Sequence, residues 1–260
     1  MRRSSTSSQA SAHVEEASAS AEAPSAAAAG GPGHLPKSKF KPMVPELERL
    51  QQSSWAPIYR ITGMFSEDNW QNAAGADMYM SILYQAHATH EPFLDQGKTP
   101  DRYYTRLQVR GLHCWLAHLR LRDEPIDRHR TLFYGLMEHI WEQAGLDLTR
   151  DLGFGYIEMS KHLKAAQLSW HGLCKTLDDA LDKTDGEELR EAMSQILLRS
   201  VYVDEEGEML VDSETRAPHP EAKAGSLWLA DYLLMQRAHL SSLPAEDVLM
   251  GRLTWADIRS

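Results

Sequence analysis

Apolar residues recur with the period of an α-helix along most of the chain after Glu46. The clearest series lies within residues 154–183, at steps of three and four residues. Its members are Tyr156, Met159, Leu163, Ala166, Trp170, Leu173, Leu177 and Leu181. Because 3.6 residues complete a turn, this spacing places them on one side of a helix. We therefore predict a long amphipathic helix here, with Lys161, Lys164 and Lys175 away from the apolar seam.

The segment from Tyr103 to Arg122 is apolar around most of its circumference and leaves only one consistently polar stripe. A helix of that composition belongs in the middle of a bundle. We expect it to be among the most buried helices of the fold. Trp115 lies on its apolar side, and Trp170 lies in the seam of the long helix, so both are predicted core residues.

Residues with known preferences for helix ends predict where further helices begin and end. Ser66 is a predicted N-cap, Gly145 a predicted C-terminal glycine, and Thr184 with Glu187 a predicted capping box. A last strong helix is predicted from about 222 to 240. The residues after Pro244 are expected to dock on the fold through three apolar side chains, Leu249, Leu253 and Trp255.

These elements predict an all-α protein with a single helical domain of about six or seven helices over residues 43–260. The sequence contains no internal repeat and no βαβ alternation. Residues 201–219 interrupt the helical pattern, and we predict an acidic loop or hairpin insertion there.

The first 42 residues differ from the rest of the chain. Ser, Ala, Gly and Pro dominate residues 1–34, so we predict disorder there, followed by a basic, proline-rich linker. Arg2, Arg3 and abundant Ser resemble an organelle transit peptide. Glu15, Glu16 and Glu22 favour the alternative, a plain flexible tail.

Composition narrows the class of protein further. No apolar run approaches the roughly 18 residues of a membrane span. There are only two cysteines, Cys114 and Cys174, which excludes a disulfide scaffold. Residues 43–260 carry 34 acidic and 22 basic side chains, which argues against broad nucleic-acid binding.

The chain lacks the common catalytic and cofactor motifs, including phosphate loops, Gly-x-Ser-x-Gly and His-Glu-x-x-His. No glutamate has histidine three residues later, the pattern of di-metal helical bundles. His87 with His90, and His171 with Cys174, are interpreted as solvated or structural groups. We therefore predict no enzymatic activity, no metal and no cofactor.

The predicted central helix carries one stripe of basic side chains. Arg106, Arg110, His113 and Arg120 fall within about 80° of each other at about 100° per residue. One interpretation is the solvated face of this helix. The other is a partner-binding strip for phosphate, lipid headgroups or an acidic protein.

The same segment resembles the signature of the ubiquinol–cytochrome c chaperone family. Its elements are Thr99–Asp101 (Thr-Pro-Asp), the aromatic pair Tyr103–Tyr104, then Leu112–Trp115 (Leu-His-Cys-Trp), and Arg120–Leu121. Gly111 stands where the family commonly has glutamate before the Leu-His pair. Weaker similarity extends over about residues 55–250.

The resemblance implies an all-helical, non-enzymatic factor of the mitochondrial matrix, peripheral to the inner membrane. It would bind newly synthesised cytochrome b for assembly of the ubiquinol–cytochrome c reductase complex. The implied partners are a small helical assembly factor and the mitochondrial ribosome near its exit tunnel. The alternative is a permanent structural subunit of a mitochondrial ribosome or respiratory complex with the same fold.

Overall fold

A computed structural model describes residues 43–203, 209–211 and 218–258, and these ranges form ten α-helices without a β-strand. The helices are α1 (Val44–Gln51), α2 (Ala56–Ile61), α3 (Glu67–Ala88), α4 (His90–Asp95), α5 (Tyr103–Leu121), α6 (Ile126–Arg150), α7 (Tyr156–Lys183), α8 (Gly186–Ser200), α9 (Pro220–Ser241) and α10 (Ala245–Leu249). The all-α class is confirmed, but the predicted helix number was too low. The difference is α1, α2, α4 and α10, which are too short to show a periodic pattern.

Helix α5 lies at the centre of the bundle and packs against α3, α6, α7 and α9. Fourteen of its 19 residues are buried. Trp115 and Trp170 are core residues with 1% and 5% of their surface exposed. The sequence predictions for the central helix and for both tryptophans are confirmed.

Helices α3 and α6 form the most extensive helix pair. Gly75 lies at their crossing, where an added Cβ would come within 2.7 Å of the Leu132 carbonyl oxygen. Only glycine permits so close an approach of two helix backbones. The α3–α6 pair is therefore closely packed, and both helices contact α5.

Of the three predicted helix-end signals, the structure contains one. The Ser66 hydroxyl accepts a hydrogen bond from the Asn69 amide, as predicted. Gly145 does not end α6, which continues to Arg150, because Gly145 faces Met159 of α7 inside the helix pair. Thr184 also forms no capping box, because its hydroxyl donates back to the Ala180 carbonyl at the end of α7.

The C-terminal segment docks on α3 and α9. Ser81 donates to the Leu253 carbonyl and accepts from the Trp255 indole, each at 3.0 Å. The Gln236 side chain pairs with both backbone groups of Ala256. The expected docking is confirmed for Leu253 and Trp255, which pack against the apolar core, whereas Leu249 is only half-buried.

The acidic stretch 201–219 is described only at residues 201–203, 209–211 and 218–219. Isolated antiparallel bridges join Val203 to Met209 and Val211 to Pro218. The choice between loop and hairpin for the residues between them stays a prediction. The segment 1–42, predicted to be disordered and transit-like, lies outside the described residues. Within the described ranges, no helix combines the length and apolar character needed to cross a bilayer.

Candidate functional site

His113 of the sequence signature is completely buried between α5 and α9. Its Nδ1 lies 2.8 Å from the Val109 carbonyl oxygen, and its Nε2 lies 2.7 Å from the Tyr232 hydroxyl. A neutral imidazole satisfies both, donating from Nδ1–H and accepting the Tyr232 proton at Nε2. Burial lowers the pKa of His113 to about 4, which keeps it in that neutral form. The Tyr232 hydroxyl also accepts a hydrogen bond from Gln85 of α3.

Aromatic rings surround this polar link. Phe93, Tyr232 and Trp255 each meet the His113 ring edge to face, with centroids 5.1–6.2 Å apart. Trp228 stacks on Tyr232. His113 therefore ties α4, α5, α9 and the C-terminal segment into one cluster.

Trp115 of the signature connects α5 to α7. Its indole nitrogen donates to the Asp178 carboxylate at 2.9 Å. Arg122 donates two further hydrogen bonds to the same carboxylate. A buried indole N–H needs an acceptor, and Asp178 provides it.

Gly111 has a packing explanation in this chain. The Trp170 indole donates to the Gly111 carbonyl at 3.0 Å. A Cβ added at Gly111 would come within 2.6 Å of the Trp170 ring. The glutamate common in the family at this place would therefore displace Trp170.

The predicted partner-binding strip lies largely inside the fold. Arg110 is buried and pairs with Asp147 of α6 at 2.9 Å. Gln143 also donates to Asp147. The pair therefore links α5 to α6 as a charge-assisted contact.

The other members differ from one another. Arg120 is buried, pairs with Glu124 at 2.8 Å and donates to the Leu243 carbonyl. Arg106 is half-buried, with 34% of its side chain exposed, and pairs with Asp101 at 2.7 Å. Of the strip, Arg106 alone is open to a partner without a change in the fold. Partner binding by the strip stays a prediction.

The two thiols are buried or half-buried. Burial raises the pKa of the Cys114 and Cys174 thiols, to about 12 for Cys174, which disfavours the reactive thiolate. In the described ranges, no three His, Cys, Asp or Glu side chains lie close enough together to hold a metal ion.

An exposed apolar surface lies on α2 and its N-terminal flank. Trp55, Ile58 and Ile61 recur at steps of three residues and have 61%, 49% and 87% of their surface exposed. We call these three residues the α2 patch. Exposed apolar clusters of this kind commonly mark binding surfaces.

Sequence reasoning missed the α2 patch and the partners of the buried polar groups. The apolar spacing of the α2 patch was a usable signal, but the stretch was too short to separate it from a core-facing turn. Asp147 and Tyr232 lie on other helices, and no sequence spacing connects them to Arg110 and His113.

The fold is a helical bundle in which buried polar links join the helices and an apolar surface remains exposed. The chain belongs to the ubiquinol-cytochrome C chaperone family, whose family model matches residues 95–255. This confirms the resemblance drawn from the sequence signature.

A solved relative has the same fold. The crystal structure of the Cbp3 homolog from Brucella abortus is similar to this chain with a TM-score of 0.57 and 21% sequence identity. The alignment covers 78% of this chain and 97% of that chain. A search among curated proteins found no match.

Proposed function

We propose that this protein is a non-enzymatic assembly chaperone that binds newly synthesised cytochrome b for the ubiquinol–cytochrome c reductase complex. The family match over residues 95–255 carries the proposal, because it includes the entire signature helix. In this proposal the protein works in the mitochondrial matrix, peripheral to the inner membrane. It acts there with a small helical partner near the ribosomal exit tunnel.

The α2 patch is the proposed client surface. A membrane protein exposes apolar helix faces before it is assembled, and an exposed tryptophan with two isoleucines offers a matching surface. The α2 patch lies outside residues 95–255. A failure of the α2 patch assignment would therefore leave the assembly function itself standing.

Affinity purification of the full chain from mitochondria with pulse-labelled translation products tests the function. Labelled cytochrome b should co-purify below one copy per chain and decline during a chase. Constant stoichiometry with a ribosome or a respiratory complex would support the permanent-subunit alternative instead. Absence of cytochrome b from every time point would overturn the proposal.

Paired variants test the client surface. Ile58→Ser with Ile61→Ser should reduce captured cytochrome b at least about tenfold, equivalent to about 1.4 kcal/mol. Ile126→Ser with Tyr134→Ser is the matched control, because Ile126 and Tyr134 are 71% and 60% exposed on α6. Equal capture by both double variants would place the client elsewhere.

A further inference from the structure

The outward face of α7 carries a continuous row of exposed side chains. The row consists of Ile157, Lys161, Lys164, Leu168, Lys175, Asp179 and Asp182. At about 100° per residue these positions lie within about 60° of each other, and they extend over about 38 Å of helix. The opposite side of α7 provides the buried seam. The row is therefore a second, exposed face of the same helix, which we call the α7 row.

Charge is ordered along the α7 row. Lys161 and Lys164 lie near its N-terminal end, and Asp179 and Asp182 lie near its C-terminal end. Among the described residues, Lys161, Lys164 and Lys175 form no ion pair, and Asp179 pairs only with exposed Lys183 on the same helix. Such an exposed pair contributes little and exchanges readily for another partner.

The order of residues is symmetric about the point between His171 and Gly172. Lys161 and Asp182 lie equally far from that point, and so do Lys164 and Asp179. In an antiparallel pair of α7 helices, Lys161 would therefore lie beside Asp182 of the second copy, and Lys164 beside its Asp179. The two-fold axis repeats both contacts, which gives four ion pairs. Leu168 would meet the aliphatic stem of Lys175, which lies equally far from the centre.

Gly172 lies near the centre of this symmetry. A glycine inside a helix costs about 1 kcal/mol relative to alanine. No described part of the chain outside the α7 backbone itself lies within 4 Å of the position that a Cβ would occupy, so packing within the described fold does not explain this glycine. A missing side chain at this point lets a second helix approach closely.

We propose that the α7 row is a self-association surface on which α7 of a second copy packs antiparallel about a two-fold axis. A two-fold interface requires a surface complementary to itself, and the α7 row has that property. The contact of one helix pair is small, so the dimer is weak and sensitive to salt. This inference goes beyond the proposed function and does not depend on it.

The same row fits a membrane or a nucleic acid less well. A helix lying on a membrane has lysines flanking its apolar face, whereas here the lysines lie on one line with Ile157 and Leu168. Asp179 and Asp182 on that line would repel lipid phosphates and nucleic-acid phosphates alike.

Sedimentation equilibrium of the full chain over a wide range of concentrations tests the proposal. Wild type should interconvert between monomer and dimer, with less dimer at high salt. Lys161→Glu with Lys164→Glu should weaken the dimer at least about tenfold, and Asp179→Lys with Asp182→Lys should do the same. Lys223→Glu with Arg237→Glu on α9 is the matched control for the lysine reversal, because it lowers the net charge by the same amount at exposed positions.

Mixing the two charge-reversed proteins gives the most specific result. One has only acidic and the other only basic side chains at the four reversed positions, so the mixture should form a heterodimer although neither forms a homodimer. A wild type that stays monomeric overturns the proposal, even if it binds an acidic protein or anionic vesicles through the α7 row. So does a dimer that survives both reversals.

Discussion

Two helices carry rows of basic side chains, and the rows have opposite environments. On α5, Arg110 and Arg120 are buried, and carboxylates of Asp147 and Glu124 neutralise them. On α7, Lys161, Lys164 and Lys175 are exposed and form no ion pair with a described residue. Helical spacing identifies both rows equally well, but it does not say whether another helix covers the row.

The residue types agree with the two environments. The planar guanidinium of arginine forms several directed hydrogen bonds and suits a buried carboxylate. The ammonium of lysine is strongly hydrated and remains in water. The difference teaches that arginines on a mostly apolar helix predict internal pairing, whereas lysines opposite an apolar seam predict a free surface.

The largest effect is expected for removing the buried charge of α5. Arg110→Met leaves the Asp147 carboxylate buried without its cation, so the free energy of unfolding should fall by about 3–5 kcal/mol. Urea denaturation measures this. Adding Asp147→Asn removes the unpaired charge, keeps an acceptor for Gln143, and should recover a large part of the loss. A single variant as stable as wild type would show that α5 and α6 do not need the pair.

The second prediction concerns the neutral His113. Its pKa in the fold, about 4, is below the ordinary value of about 6.5, so the unfolded chain binds more protons between these pH values. The free energy of unfolding is therefore unaffected by His113 above about pH 6.5. As the pH drops toward 4, protonation of His113 in the unfolded chain lowers it by up to about 1.4 kcal/mol per pH unit. His118, whose pKa burial also lowers to about 4, adds in the same direction.

Urea denaturation across this pH range isolates the contribution of His113. His113→Gln keeps an acceptor for the Tyr232 hydroxyl and should lose less stability on acidification than wild type. His171→Gln on the exposed side of α7 is the control and should follow the wild-type profile. Parallel profiles for His113→Gln and wild type would exclude His113 as a source of acid sensitivity.

The sequence predicted what depends on periodicity. The all-α class, the central α5, the long α7 and the buried Trp115 and Trp170 all follow from apolar spacing. Periodicity failed for elements of five to eight residues, because one or two turns do not establish a repeat. The prediction from residue type also failed at Gly145, which lies inside α6 and does not end the helix.

The candidate surfaces were harder to predict for a physical reason. Exposure is a property of the tertiary arrangement, and Ile61 and Leu132 have the same apolar character in the sequence. Ile61 is 87% exposed, whereas Leu132 is completely buried against α3. The signature residues His113 and Trp115 were recognisable as important, but their partners Tyr232 and Asp178 come from distant parts of the chain.

The third prediction compares one glycine from each helix. Gly111→Ala pushes a methyl group into the Trp170 ring, so it should lower stability by about 1–3 kcal/mol. Gly172→Ala on α7 meets open space and should raise stability by about 0.5–1 kcal/mol through helix propensity. Thermal unfolding of the two variants measures the difference. Equal shifts would contradict the close contact of α5 with Trp170.

The smallest effect on stability is expected at Arg106, the one half-exposed member of the predicted α5 strip. Arg106→Glu breaks a partly solvated pair with Asp101 and should cost less than about 1 kcal/mol.

If the strip contributes to partner binding through Arg106, the same change should weaken association with the ribosome or the helical partner and reduce its salt dependence. Co-sedimentation at two salt concentrations measures both quantities. Arg102→Glu is an informative comparison, because Arg102 immediately precedes α5 and donates to the Val203 carbonyl. Normal association by folded Arg106→Glu would remove the last accessible member of the strip and restrict the basic side chains of α5 to holding the helices together.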